Sequence, residues 1–170
     1  MDFRELIGRR RSIRSYSADS VDSAVLDRIL RIISRAPSAG NLQAYRIFVV
    51  RSASKRRALA VAAGGQEFLA QAPLDLVFCA DPDRSSATYG NRGANLYAVQ
   101  DATIAATFAL LAATNEGLSS AWVGAFDDSA VRAVCGKTKL RPVAVVPVGH
   151  GAETPSETSR RGLPEMVEEI

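Results

Sequence analysis

The run NLYAVQDATIAATFALLAATN, residues 95–115, decides how this chain folds. Leu96, Val99, Thr103, Ala106, Leu110 and Ala113 recur at the 3.6-residue period of a helix. The second half is apolar around most of its circumference and rich in alanine. A helix without a polar face has nothing to offer water, so the run predicts a central helix buried among other elements. Gly117 is its expected C-terminal cap. Asp101, at its start, is expected to cap the helix or to pair with an arginine, with a structural role favoured. The uncharged stretch Ala102–Asn115 has 14 residues, too few to span a bilayer.

Outward from this helix the pattern is mixed. Leu74–Cys79 is a mostly apolar run and predicts a strand buried on both faces. Ser120–Phe126 predicts a third strand and Val143–Val148 a fourth, with Pro147 at an edge or bulge. Ile47–Val50 is a short β-branched strand. Val25, Leu26, Ile29, Leu30, Ile32 and Ile33 predict a helix over 23–35, capped by Asp22 or Ser23 and stopped before Pro37. Asp2–Gly8 predicts a short helix, as do Ser54–Ala63 with Ser54 as cap, Gln66–Gln71, and a segment from Asp127 or Asp128 to Gly136. The polar stretch Asp81–Gly93 reads as a surface loop or lid. The tail from about 151 to 170 is polar and cannot form its own core, yet Leu163, Met166 and Val167 are spaced to contact something.

Composition narrows the chemistry. The 170 residues predict a single domain, with 47% hydrophobic and 23% charged residues. His150 is the only histidine, which excludes a multi-histidine metal site. Cys79 and Cys135 are far apart in sequence, so there is no CxxC. The N-terminus carries no apolar signal region, and the expectation is a soluble cytoplasmic protein with reduced thiols. The net charge of +3 is gathered in three clusters: Arg9, Arg10, Arg11 and Arg14; Lys55, Arg56 and Arg57; Arg160 and Arg161. Such clusters suit a nucleic acid, a membrane surface or a ligand phosphate. For Lys55–Arg57 a solvated helix face is the simpler reading.

Four segments carry the chemistry. Arg10, Ser12 and Arg14 alternate, so an extended segment aims them to one side, and guanidinium groups bind phosphate bidentately. Pro37-Ser38-Ala39-Gly40-Asn41-Leu42-Gln43 joins a helix to a strand with small residues and paired amides. Trp122-Val123-Gly124-Ala125 places a glycine where a main chain could approach a ring. Ser159-Arg160-Arg161 returns positive charge from the tail. Each signal is weak alone.

In this order the four segments resemble the nitroreductase family of FMN-dependent oxidoreductases, together with Tyr97-x-x-x-Asp101 and the run from Arg141-Pro142-Val143 to Val148-Gly149. The resemblance spans Phe3 to Val167, and the chain is similar to a short member. It implies an α+β fold, a mixed β-sheet surrounded by helices, and an intertwined homodimer with FMN at the interface. It implies phosphate, ribityl and pyrimidine contacts from Arg10, Arg11, Ser12 and Arg14, with Arg14 at the N1/O2 edge. Pro37, Ser38, Ala39, Asn41 and Gln43 would come from the partner chain. Trp122, Val123, Gly124 and Ala125 would pass the flavin, with the Gly124 amide at N5. Arg160 or Arg161 would reach the phosphate, and the tail would pack on the partner.

No side chain is then required as catalyst, because the cofactor carries the redox chemistry. The implied activity is a ping-pong transfer of electrons from NADH or NADPH to a flat acceptor such as a nitroaromatic or quinone. Two rivals stand beside it: a flavin-binding protein of the same fold without turnover, and a basic dimer for nucleic acid. The second lacks an RNP motif and carries little net charge.

Overall fold

The computed structural model describes residues 1–136 and 139–170. Its centre is a four-stranded sheet in the order β1 (Tyr45–Val50), β2 (Leu74–Ala80), β4 (Arg141–Gly149), β3 (Ser119–Ser120). Every neighbouring pair is antiparallel. The parallel component is one bridge at the β3 edge, where Ser12 lies beside Ser120 and the Ile13 amide donates to the Ser120 carbonyl at 3.0 Å.

All seven residues of β2 are buried, as its apolar run predicts, because strands flank it and helices cover both faces. Leu74, Leu76 and Phe78 face one way, with Ala144, Val146 and Val148 of β4 opposite them. On this face lie α2 (Ser23–Ile33) and α6 (Ala98–Asn115). Val77, Cys79 and Val145 face the other way, against α3 (Ala53–Ala62), α4 (Phe68–Gln71) and α7 (Asp128–Cys135).

The central helix forms as its pattern predicts. Ala102, Ala105, Ala106, Ala109, Ala112 and Ala113 are buried. Their small side chains let the helix axis come close to both the sheet and α2, where larger residues would hold it away. Gly117, at φ 75°, follows the C-cap in the left-handed conformation that glycine adopts without steric cost. The Asp22 carboxyl caps α2 by accepting from the Ala24 and Val25 amides.

Several expectations need correction. The 81–93 stretch is a helix, α5 (Pro82–Arg92), and not a loop. Its polar composition hid a complete start signal: the Asp81 side chain accepts from the Arg84 amide at 3.1 Å, and Pro82 takes the first helical turn. Gly90 (φ 54°) breaks α5, and a single wide turn, Gly93–Tyr97, leads into α6. A Cβ on Gly93 would lie 2.5 Å from the Ser85 carbonyl oxygen, so only glycine lets this turn pack on α5. The third strand is also shorter than expected: Ser119–Ser120 pair, the chain leaves the sheet, and Val123 returns as one bridge to Val145. Pro147 therefore sits in an inner strand, but in the gap where β3 has ended. The cap of α3 is Ser52 rather than Ser54, and the first helix, α1, runs Phe3–Arg9.

Candidate functional site

The extended chain after α1 runs along the β3 edge. Ile13 and Tyr16 anchor it, both buried, with the Tyr16 hydroxyl donating to the Ile13 carbonyl at 2.7 Å. Arg10, Arg11, Ser12 and Arg14 line one cavity of about 180 Å³ together with Pro155, Ser156, Glu157, Thr158 and Arg160. Residues separated by most of the chain thus meet because the tail follows β4 back along the same edge.

Specific contacts hold the tail there. The Arg14 amide donates to a Glu153 carboxyl oxygen, and the Ala152 amide donates to the Ser15 carbonyl at 2.9 Å. Arg160 Nη1 donates to Thr158 Oγ1 at 2.7 Å, which curls the side chain toward the cavity. Arg160 lines it and Arg161 does not. Arg11 is 3.6 Å from Glu157, the single acidic residue of the lining, which leaves the other three guanidinium groups without a carboxylate in the cavity. Such a surplus of rigid donors is suited to a dianion.

The Pro37–Gln43 segment forms a second element. It is a tight turn with positive φ at Gly40 (55°), Asn41 (54°) and Gln43 (50°). Gly40 adopts this conformation freely, but Asn41 and Gln43 do so at a cost, and such strain persists only when neighbours enforce it. Asp101 enforces it from the start of α6. Its Oδ1 accepts from the Ala39 amide at 2.9 Å and its Oδ2 from the Ala44 amide at 3.2 Å. Asp101 is buried, so both bonds are shielded from water. Neither a helix cap nor an arginine partner, it is the clamp of this turn. Ser38 Oγ accepts from the Gln43 amide at 3.0 Å, and Gln43 Nε2 donates to Asn41 Oδ1 at 3.2 Å.

From the other side α5 presses on the same turn. Arg84 Nε donates to the Leu42 carbonyl, and the Tyr89 hydroxyl sits where a Gly40 side chain would be. Tyr89 packs edge-on against Tyr97 at 5.2 Å between centroids, and Arg92 Nε donates to the Tyr97 hydroxyl at 2.9 Å. The segment expected to be a lid is thus a buttress. Pro37, Ser38 and Ala39 line a cavity of about 530 Å³ with Tyr97, Asp101 and Ile104.

The third segment is Trp122–Ala125. Trp122 packs on the core, Val123 is buried, and Gly124 and Ala125 are exposed. A Cβ on Gly124 would stand 2.9 Å from Trp122 Nε1, so the bare backbone here is enforced by the indole. The structure therefore joins the first and fourth sequence segments in one cradle, while the turn at 37–43 lines a different cavity. Of the Lys55–Arg57 cluster, Lys55 and Arg57 are exposed as expected, but Arg56 is half-buried and its guanidinium donates to the Ala70 carbonyl at 3.0 Å and to the Ala72 carbonyl.

A profile described as the nitroreductase family matches residues 7–66 and 60–150. The chain belongs to the nitroreductase family. A Thermus thermophilus protein named NADH dehydrogenase is 33% identical to it over 187 aligned residues, covering 94% of this chain and 91% of that protein. A Bacillus subtilis protein named FMN reductase [NAD(P)H] is 39% identical over 75 residues, covering 44% of this chain and 30% of its own. A nitroreductase family protein from Clostridium novyi NT superposes with a TM-score of 0.82 at 27% identity, covering 93% of this chain and 89% of that one. The α+β fold read from the sequence is that of the family.

The sequence could show the arginines and the small-residue turn, but not what holds them. The Asp101 clamp and the Glu153 tether reach across 62 and 139 positions. The Tyr97-x-x-x-Asp101 spacing was the one visible sign of the first, and nothing marked the second.

Proposed function

We propose that the chain is an FMN-dependent oxidoreductase that passes electrons from NADH or NADPH to a flat acceptor, a nitroaromatic, a quinone or a similar ring, and that the arginine cradle holds the FMN phosphate. The observation that carries this reading is the single cavity shared by Arg10, Arg11, Ser12, Arg14 and Arg160. Its size suits a phosphate rather than a ring system, and its charge suits a dianion. The exposed, side-chain-free backbone at Gly124 suits the close approach of a flat ring. The relatives named for FMN and NAD(P)H support the same chemistry.

When bound, the flavin supplies the two-electron chemistry, and the protein's residues orient and tune it. Arg10, Arg11 and Arg160 would hold the phosphate. Arg14 would supply the cation that stabilises negative charge on the reduced ring. The Gly124 amide would offer a backbone donor to the ring. Ser38, Ala39, Asn41 and Gln43, held in their strained turn by Asp101, present backbone and amide groups as the second wall. Donor and acceptor would occupy one pocket in turn, which is a ping-pong cycle.

In one chain the turn at 37–43 and the arginine cradle line separate cavities. We infer that the second wall comes from a partner chain in a homodimer. Phe3, Leu163, Met166 and Val167 are 70%, 70%, 51% and 63% exposed. These apolar side chains on α1 and the tail suit burial against the partner. Residues 1–170 then form one FMN-binding domain, with the tail from about 151 packed on its neighbour in a cytoplasmic dimer.

The test is flavin retention. Each arginine-to-phosphate contact is a charge-assisted bond worth about 1.5–3 kcal/mol, so Arg10→Ala and Arg160→Ala should each weaken FMN binding by roughly ten- to a hundredfold. Fluorescence titration of the apoprotein measures this. Unchanged affinity in both variants would remove the phosphate from this cradle.

A further inference from the structure

We propose, on the oxidoreductase reading above, that Arg92 and Tyr97 form an anion-reading pair beside the 37–39 wall and select flat acceptors that carry a carboxylate. The wide turn between α5 and α6 makes the pair. Gly90, at φ 54°, breaks α5. The Ala98 amide then donates to the Gly93 carbonyl, five positions back instead of the usual four. In an ordinary α-helix, side chains five apart diverge by about 140° around the axis. The extra residue in this turn brings them together, and turns of this kind recur at functional sites. Arg92 and Tyr97 are five apart, and Arg92 Nε donates to the Tyr97 hydroxyl at 2.9 Å. The guanidinium carbon stands 5.4 Å from the centre of the Tyr97 ring. Tyr89 packs edge-on against the same ring and restrains it.

Held in this way, the guanidinium keeps unspent donors. Arg92 is exposed, and its bond to Tyr97 uses one of its N–H groups. Among the described residues it meets no carboxylate. Tyr97 joins Pro37, Ser38, Ala39 and Ile104 in the lining of the cavity of about 530 Å³, a size that suits a small aromatic ligand. Asp101 is the acidic residue of that lining, and both its oxygens are committed to the Ala39 and Ala44 amides.

An aromatic carboxylate matches both parts of this arrangement. Its ring lies against the apolar lining, and its planar carboxylate accepts from the guanidinium fork. A neutral acceptor of the same shape makes the ring contacts alone. Water reaches the exposed Arg92 and screens its charge, so the preference for the anion is modest and salt-dependent.

The experiment compares 4-nitrobenzoate with 4-nitrobenzamide, which share a ring and a nitro group and differ in charge. Binding of each to the full-length protein, incubated with FMN, is titrated by ligand-observed NMR, and turnover with NADH and NADPH is measured in parallel. The benzoate should bind roughly three- to tenfold tighter, the scale of one hydrogen-bonded ion pair at an exposed site. Added salt should shrink that ratio. Arg92→Gln should bring the ratio near one, and Arg92→Lys should keep part of it. Tyr97→Phe removes the hydroxyl that anchors the guanidinium and should lower the ratio as well. Circular dichroism checks the fold of each variant. Equal affinities in the wild type, or a preference that survives Arg92→Gln, would overturn the proposal. So would an Arg92→Gln variant that weakens only NADH or NADPH, because the guanidinium would then read the phosphates of the donor. An Arg92-dependent preference in a protein that reduces neither acceptor would support the site and sink the oxidoreductase reading. Turnover of both acceptors without the preference would sink the site alone.

Discussion

Both carboxyl oxygens of Asp101 are committed to backbone amides, one at each end of the Pro37–Gln43 turn. Asparagine keeps one acceptor and turns a donor toward the other amide. Asp101→Asn should therefore destabilise the fold by about 1–3 kcal/mol in urea unfolding and weaken FMN binding at the same time, by loosening the turn it holds. Asp75 is the opposite case. It is buried on β2, and neither of its oxygens has a hydrogen-bond partner among the described residues. Burial pushes its pKa from 3.8 to about 8, against a weaker pull from the Arg56 charge. The folded state thus keeps a proton that the unfolded state releases above pH 4. Stability is then fullest below about pH 4 as far as this residue is concerned, falls as pH rises toward 8, and levels off above it. Asp75→Asn should remove that slope, worth on the order of a few kcal/mol, and raise the melting temperature most at pH 8 to 9. A wild-type slope that survives in Asp75→Asn would assign it to other groups. The sequence singles out Asp101 through its spacing from Tyr97 and its place at the start of α6, and Asp75 not at all, but the partners of each are set by what lies across the fold from it.

At the scale of elements, local chemistry was legible wherever it decided the structure. The alanine-rich run of α6 and the apolar run of β2 read correctly because burial on several sides leaves a plain compositional mark. Of the two residues expected to cap α2, Asp22 or Ser23, Asp22 does so, because its carboxyl reaches the amides of the first turn. α5 differs from the expected loop because its polar surface resembles one in sequence, and Gly90 and Gly93 obscure the Asp81-Pro82 start signal. The third strand was over-extended because Trp122 and Phe126 are bulky and apolar, yet they pack on the core from outside the ladder. The close packing of α6 makes its own prediction. Ala109 is fully buried in the cluster it shares with Leu76, Phe78 and Val146. Ala109→Leu has no space to enter and should cost about 1–3 kcal/mol in chemical denaturation, with secondary structure retained by circular dichroism. A neutral result would mean that the sheet and α6 are less tightly packed than their burial implies.

For the whole molecule, the family was legible in the ordered set of four segments, and the resemblance already implied that the 37–43 turn and the arginines come from different chains; the fold adds that within one chain they line separate cavities. That division is a property of how the tail returns along the β3 edge while the 37–43 turn is held by α5 and α6. The central claim is that this assembly binds FMN and lets NADH or NADPH reduce it. The most direct measurement is the visible absorption spectrum of the purified protein, recorded anaerobically before and after each nucleotide. The account predicts a two-banded flavin spectrum that bleaches with at least one of them and returns when a quinone or nitroaromatic is added. A flavin spectrum that persists with both nucleotides, or a protein that takes up no FMN on incubation, would contradict it.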